Sequence, residues 1–259
     1  MSGPDNQRLV IQPRDLQLLS EIAVMRVVDR EQAKAVAGFG STTRINARLL
    51  RLTRYGALKQ FFFGSRLGSR KALYVLSAAG AALAHVPFNR MRRHQGQELT
   101  TDLFLEHQLE INRIYIALKH RPIPAPAVSF GRWLVSMNIL ALSAPTIPDG
   151  CFELASPTGP KLCFLEVDMG TERPPVWKKK VAAYLAFATS GMAAQRFGHS
   201  QFRVLVVTTN DRRLQSIRSV IARFTEKVFF LTTFENIKRE GLWSSIWLRP
   251  VGDERQAFV

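Results

Sequence analysis

The sequence predicts an α+β protein of two domains: a small helical unit closed by a β-hairpin over 11–86, a basic linker over 87–98, and an α/β sandwich around a mixed sheet over 99–250. Three observations predict it. The 259 residues, 46% of them hydrophobic, suffice for two cores. Apolar residues recur at helical spacing three times before two β-rich segments appear. The stretch PFNRMRRHQGQE then carries no apolar period, and beyond it a helix, antiparallel strand runs and βα alternation follow in order.

The first helix is read from PRDLQLLSEIAVMRVV, where Leu16, Leu19, Ile22, Ala23 and Met25 or Arg26 approach helical spacing and Pro13 and Asp15 suit an N-terminus. Asp29 caps a short second helix, DREQAKAVAG, which ends at the Gly38-Phe39-Gly40 turn. Ser41 caps a third, STTRINARLLRLTRYG, in which Ile45, Leu49 and Leu52 face the core and Gly56 stops the helix. Its opposite side carries Thr43, Ala47, Arg51 and Arg54, flanked by Arg44 and Arg48, with Thr42 in its first turn. ALKQFFF and KALYVL form a hairpin whose glycine-rich tip, GSRLGSR, holds Arg66 and Arg70, and an alanine-rich helix over 77–86 closes the unit.

Charge singles out this unit. The formal net charge is +16, and no Asp or Glu occurs between Glu31 and Glu98 while twelve Lys and Arg fall there. Basic surfaces attract polyanions through phosphate neutralisation and counterion release, although a basic face also serves solubility. A helix that exposes small residues and arginines fits the major groove, where Arg reaches guanine edges and Thr or Ala methyls touch thymine. This order of three helices and hairpin, with RLLRLTRYGAL at the third helix, resembles bacterial winged helix-turn-helix domains over Pro13 to about Ala84. The resemblance implies double-stranded DNA as partner, read by Ser41, Thr42, Thr43, Arg44, Ala47, Arg48, Arg51 and Arg54, with Arg66 and Arg70 of the wing on phosphates or a minor groove.

In the second domain a helix over TTDLFLEHQLEINRIYIALKH precedes the strand runs VSFGRWLV, TIPDGCFELAS and KLCFLEVDMG. A helix from about Pro174 to Ser190, the strand FRVLVVTT, a helix from Asp211 to Phe224 and the strand KVFFLTT follow. A turn at Ser156 to Pro160 brings Asp149 opposite Glu166 and Asp168, which at i and i+2 share one sheet face. Three convergent carboxylates are what Mg²⁺ or Mn²⁺ requires, and such a metal activates water against a phosphodiester. The same residues have a structural reading, in which Asp149 starts a turn and Glu166 and Asp168 pair with nearby Lys or Arg. His107 reads as a core histidine, the four tryptophans as core or interface aromatics, and Cys151 and Cys163 as buried thiols outside any disulfide or zinc framework.

IPDG and LEVD resemble the two motif halves of the PD-(D/E)XK nuclease superfamily, and Lys180 and Tyr184 fall where some members carry Q-x-x-x-Y. The resemblance implies a catalytic set of Asp149, Glu166, Asp168 and Lys180, with the first three as metal ligands. Asp168 stands where the motif lysine belongs, which argues against hydrolysis, and Lys178, Lys179 or Lys180 would have to supply the ammonium. Most of the chain, roughly Pro13 to Thr232, with Leu105-Glu106-His107-Gln108-Leu109 and Glu166 to Glu172, resembles the replication-relaxation family. That resemblance implies a mobile-element or plasmid protein acting in replication or mobilisation. The leading expectation is a double-stranded DNA-binding protein with an accessory nuclease-like domain. Its rivals are a Mg/Mn-dependent endonuclease and a scaffold for a relaxase or replication initiator; a homodimer is a further expectation. The N-terminus MSGPDNQRLV has no secretory layout and no apolar run reaches bilayer length, so the expected location is cytoplasmic.

Overall fold

The computed structural model describes residues 9–64, 70–88, 102–124, 127–134 and 147–259. The protein is mixed α+β, with a three-stranded sheet, a seven-stranded mixed sheet and helices packed around them. It divides into two units, Met1–Ile116 and Ala117–Val259. Among the described residues no helix is long and apolar enough to cross a membrane.

In the first unit α1 spans Pro13–Met25, with the Gln12 backbone N–H donating to Asp15 Oδ2 at 2.6 Å. Its buried stripe is Leu18, Leu19, Ile22 and Met25; Leu16, read as core from spacing, is exposed. The helix stops earlier than the pattern suggests. Arg26 turns to φ 66° and the β-branched pair Val27 and Val28 forms β1 (Val27–Asp29), an element the sequence reading did not separate from α1. Helix α2 (Arg30–Val36) is capped by Asp29, whose side chain accepts from Gln32 N at 2.8 Å. Helix α3 (Thr42–Tyr55) begins after Ser41, whose carbonyl accepts from Ile45 N but whose hydroxyl makes no capping bond, and ends at Gly56 with φ 89°. Strands β2 (Leu58–Gly64) and β3 (Arg70–Leu76) pair antiparallel, and β1 joins β3 to give the order β1-β3-β2. Ser77 caps α4 (Ala78–Leu83), and Gly80 lets that helix approach so closely that a Cβ would lie 2.1 Å from the Ala57 carbonyl oxygen.

The helix α5 (Asp102–Lys119), read from sequence as the head of the second domain, sends its bonds to the first. Gln32 Nε2 donates to Leu109 O at 2.8 Å, Asn112 Nδ2 to Val27 O at 2.6 Å and Tyr115 OH to Glu21 Oε2 at 2.7 Å. Leu105 and Leu109 pack on Val27 and Leu73, with Phe61 and Val75 of the small sheet against them. The linker segment 89–101 and the hairpin tip 65–69, with Arg66, lie outside the described residues.

The second unit is built from β4 (Ser129–Leu134), β5 (Gly150–Ala155), β6 (Lys161–Asp168), α6 (Pro174–Thr189), α7 (Met192–Phe197), β7 (Phe202–Thr208), α8 (Asp211–Ile221), β8 (Phe229–Thr233), α9 (Phe234–Glu240), β9 (Trp247–Leu248) and β10 (Arg255–Gln256). The sheet order is β10-β9-β8-β7-β6-β5-β4, with β6, β7 and β8 parallel and the remaining pairs antiparallel. Helices α6 and α8 cover one face, closing a core around Phe164, Trp177, Tyr184, Phe187, Phe202 and Phe229. The four short elements α7, α9, β9 and β10 have no sequence period long enough to reveal them, and β10 with the buried Phe258 carries this unit past residue 250.

One ion pair fixes the angle of α3. Arg48, expected on the flank of the DNA-facing side, instead turns inward: Nε donates to Asp15 Oδ1 at 2.6 Å, Nη2 bonds Asp15 Oδ2, and Nη2 also donates to Val10 O at 2.7 Å. Asp15 is fully buried, so its charge demands this partner more than any exterior phosphate can. Arg48→Ala should therefore destabilise the fold by about 3–5 kcal/mol, because it strands a buried carboxylate, whereas Asp15→Leu with Arg48→Met should recover most of the loss. Urea unfolding of the two variants measures the difference.

Candidate functional site

Two groups of residues bear on function, one in each unit. In the second, the turn between β5 and β6 centres on Gly159 at φ 93°, and the resulting register sets Gly150 opposite Leu165. Asp149 thus lies beside the end of β6, and its Oδ2 accepts from Val167 N at 2.7 Å. Glu166 and Asp168 share the face that meets α6, as their spacing predicts.

Glu166 is buried beneath α6. Its Oε2 accepts from Lys180 Nζ at 2.8 Å and its Oε1 from Tyr184 OH at 2.5 Å. Burial pushes its pKa up, the Lys180 ammonium opposes that, and the Asp149 charge adds to it, so the group reaches about 7. Lys180 also donates to Glu172 Oε1 at 2.7 Å and lies 5.1 Å from the Trp177 ring centre. Burial disfavours the charged ammonium, but Glu166 and Glu172 together outweigh it and hold Lys180 above its ordinary value.

Asp168 forms a separate pair. Arg213 from α8 donates to it twice, Nε to Oδ1 at 2.8 Å and Nη2 to Oδ2 at 2.7 Å, and Trp177 Nε1 and Gly170 N add bonds at 3.1 and 2.8 Å. Burial works to raise this carboxyl; the Arg213, Trp177 and Gly170 bonds prevail and leave it below the ordinary value. Asp168 is thus engaged by Arg213, while Asp149 stays close enough to Glu166 for its charge to raise that carboxyl. Among the described residues no group of three His, Cys, Asp or Glu is placed to hold a metal ion. Both Glu166 oxygens and both Asp168 oxygens are engaged by protein donors. The residues present do not fit a Mg²⁺ or Mn²⁺ centre.

Of the three lysines that the sequence offers as a source of an ammonium, Lys180 lies beside Glu166; its second partner Glu172, and Arg213 as the partner of Asp168, carry no local sequence signal. Arg213 lies 45 residues from Asp168, and only the parallel pairing of β6 with β7 brings α8 to it. Lys178 and Lys179 are exposed, as a basic run on a helix normally is. Cys151 and Cys163 are buried free thiols, and burial raises both thiol pKa values, leaving them unsuited to nucleophilic chemistry near neutrality.

In the first unit α3 exposes Thr43, Arg44, Ala47, Arg51 and Arg54, together with Asn46 and Leu50, which the sequence reading left out. Ser41 and Thr42 are half-buried at its start, and Thr42 Oγ1 accepts from Lys34 Nζ at 3.4 Å. Among the described residues Arg44, Arg51 and Arg54 make no ion pair. Arg70 is exposed on β3, whereas Lys71 pairs with Asp29.

The opposite pKa shifts of Glu166 and Asp168 predict two pH windows. Asp168 contributes stability above its ordinary 3.8 that is lost as pH falls below it. Glu166 keeps its proton in the fold up to about 7 whereas the unfolded chain releases it near 4.5, so its contribution falls as pH rises across that window. Thermal melts against pH should show both trends, and Glu166→Gln should flatten the second alone. Lys180→Met should cost about 3–5 kcal/mol once the pH rises past about 7 and Glu166 ionises, by leaving it and Glu172 without their shared cation.

Comparison with known proteins supplies one match. No curated protein and no solved structure matches the chain. Residues 18–201 match the replication-relaxation family, covering α2 to α7 entire together with most of α1. The match takes in the α3 face, Asp149, Glu166, Asp168 and Lys180, and the protein belongs to the replication-relaxation family.

Proposed function

We propose that this protein binds double-stranded DNA in the replication or mobilisation of a plasmid or other mobile element. On this reading 11–86 is a winged helix-turn-helix, α3 is its recognition helix and the β2–β3 hairpin its wing. The observation that carries it is the exposed face of α3, where Arg44, Arg51 and Arg54 surround Thr43 and Ala47 with no acidic residue on the helix. Cations that lack counter-ions beside small side chains suit a groove edged by phosphates.

The second unit is read as an accessory domain of PD-(D/E)XK nuclease-like type. Its Asp149 and Glu166, with Lys180 reaching in from α6, favour a second reading as an endonuclease. The engagement of every Glu166 and Asp168 oxygen supports the accessory role instead. Nicking of supercoiled plasmid that depends on Mg²⁺ or Mn²⁺ and is lost in Glu166→Gln would reverse the order of the two readings.

The DNA reading is tested by Arg44→Ala with Arg51→Ala, both exposed and unpaired, so the fold should be retained. Loss of base or phosphate contacts worth about 1–3 kcal/mol each should weaken duplex binding at least tenfold in a gel shift. Unchanged affinity in the folded double variant would remove this reading.

A further inference from the structure

The second sheet carries a cationic cluster at the end opposite its carboxylates. Lys161 opens β6, Arg203 is the second residue of β7, Phe230 the second of β8, and Arg249 follows β9 directly. Register puts all four on one face. Cys163 pairs with Arg203 and Leu205 with Phe230, while Leu248 pairs with Leu231, so Arg249 shares the face of Phe230. Leu162, Phe164, Val204 and Leu231 belong to the core on the other face, beneath α6 and α8.

The cations crowd one another. Arg249 and Arg203 lie with their guanidinium carbons 4.2 and 5.3 Å from the centre of the same Phe230 ring. Arg203 donates to the Phe258 carbonyl, Arg249 to Glu226 O at 3.1 Å and Lys161 to Thr158 Oγ1 at 2.9 Å. All three are half-buried, and among the described residues none forms an ion pair with a carboxylate. Burial, and then the charge of Arg203, lower the pKa of both Lys161 and Arg249. Half-buried cations that repel each other and lack a carboxylate are unfavourable without an anion. Neutral carbonyl and hydroxyl acceptors orient the three groups without cancelling their charge, and the Phe230 ring gathers the two guanidinium charges beside each other.

We propose that Lys161, Arg203 and Arg249 form a binding site for a phosphate oxyanion, supplied either by the backbone of DNA or by a free phosphate group. This site is independent of the α3 face, since its residues belong to other elements and to the other unit.

The full chain is compared with Lys161→Ala/Arg249→Ala; Arg203 is kept because its guanidinium also holds the Phe258 carbonyl. In the first arm a labelled duplex is titrated at several salt concentrations. Each lost phosphate contact should lower affinity about tenfold at ~0.1 M salt and reduce the salt slope by about one unit. In the second arm melting temperature is read in inorganic phosphate and in chloride at matched ionic strength. Phosphate should raise the melting temperature of the wild type and leave the variant unchanged. Loss of duplex affinity assigns the phosphate to the DNA backbone; an intact duplex affinity with loss of the phosphate effect assigns it to a free phosphate group. Arg249→Lys, which keeps the charge, should retain most of whichever response the wild type shows, as a purely packing role would not. The proposal is overturned when duplex affinity, salt slope and the phosphate effect are all the same in wild type and double variant. Arg44→Ala/Arg51→Ala, run beside it, separates failure of this site from failure of the α3 reading, because that variant should keep the phosphate effect in full.

Discussion

Burying the Glu166 carboxylate imposes the strictest geometric demand in the second unit. It sits on β6 under a layer of aromatic rings, where an unpartnered charge is strongly disfavoured. Its two acceptors are met by Lys180 and Tyr184, one helical turn apart on α6, so the helix has one rotation and one height at which both bonds form. Apolar contacts among Phe164, Phe187 and Phe202 supply much of the packing without such directionality. Asp168 repeats the constraint on the same strand, bonding Trp177 near the start of α6 and Arg213 on α8. Together the two carboxylates pin both covering helices to the parallel core of the sheet.

The first unit uses the same device for a different end. Asp15 on α1 holds Arg48 on α3, and because Arg48 is spent on that pair its neighbours on the wheel are turned outward. An arginine-rich helix without the inward pair would have no polar contact to choose among rotations that bury different arginines. With it, the apolar stripe of Ile45, Leu49 and Leu52 and the ion pair agree on one orientation. The Gln32, Asn112 and Tyr115 bonds along α5 then satisfy polar groups that the far side of this unit would otherwise leave buried and unmet.

The legible parts of the sequence were those with local signals. Asp29 and Gly56 mark helix ends through short-range backbone chemistry, and the long strands and α3 show clear periods. The placement of Asp149 beside Glu166 was also readable, since one short turn fixes an antiparallel register. What escaped depends on distant chain. Val27 and Val28 become a strand only because β3 offers them partners, and the destination of α5 is set by side-chain amides whose targets lie about eighty residues away. The inward turn of Arg48 could not be separated from an outward one by helical spacing, because its position lies on the boundary of the two faces. For Asp168 the sequence leaves a metal and a basic partner both open, because no local pattern links it to Arg213.

The two ends of the large sheet present opposite chemistry, and this bears on what the second unit can contribute. At the C-terminal ends of β6 and β7 the carboxylates are closed within the protein by Lys180, Tyr184, Trp177 and Arg213. A carboxylate engaged at both oxygens gives up bonds when it turns to another partner, and each buried charge so released is costly. At the N-terminal ends, on the reverse face, Lys161, Arg203 and Arg249 remain half-buried cations whose acceptors among the described residues are neutral. The first arrangement stabilises a fold; the second leaves a charge to be met from outside. On the proposed reading such a domain would hold a phosphate-bearing ligand rather than cut it, and a basic first unit would gain from that second point of attachment through effective concentration even if each site alone bound weakly.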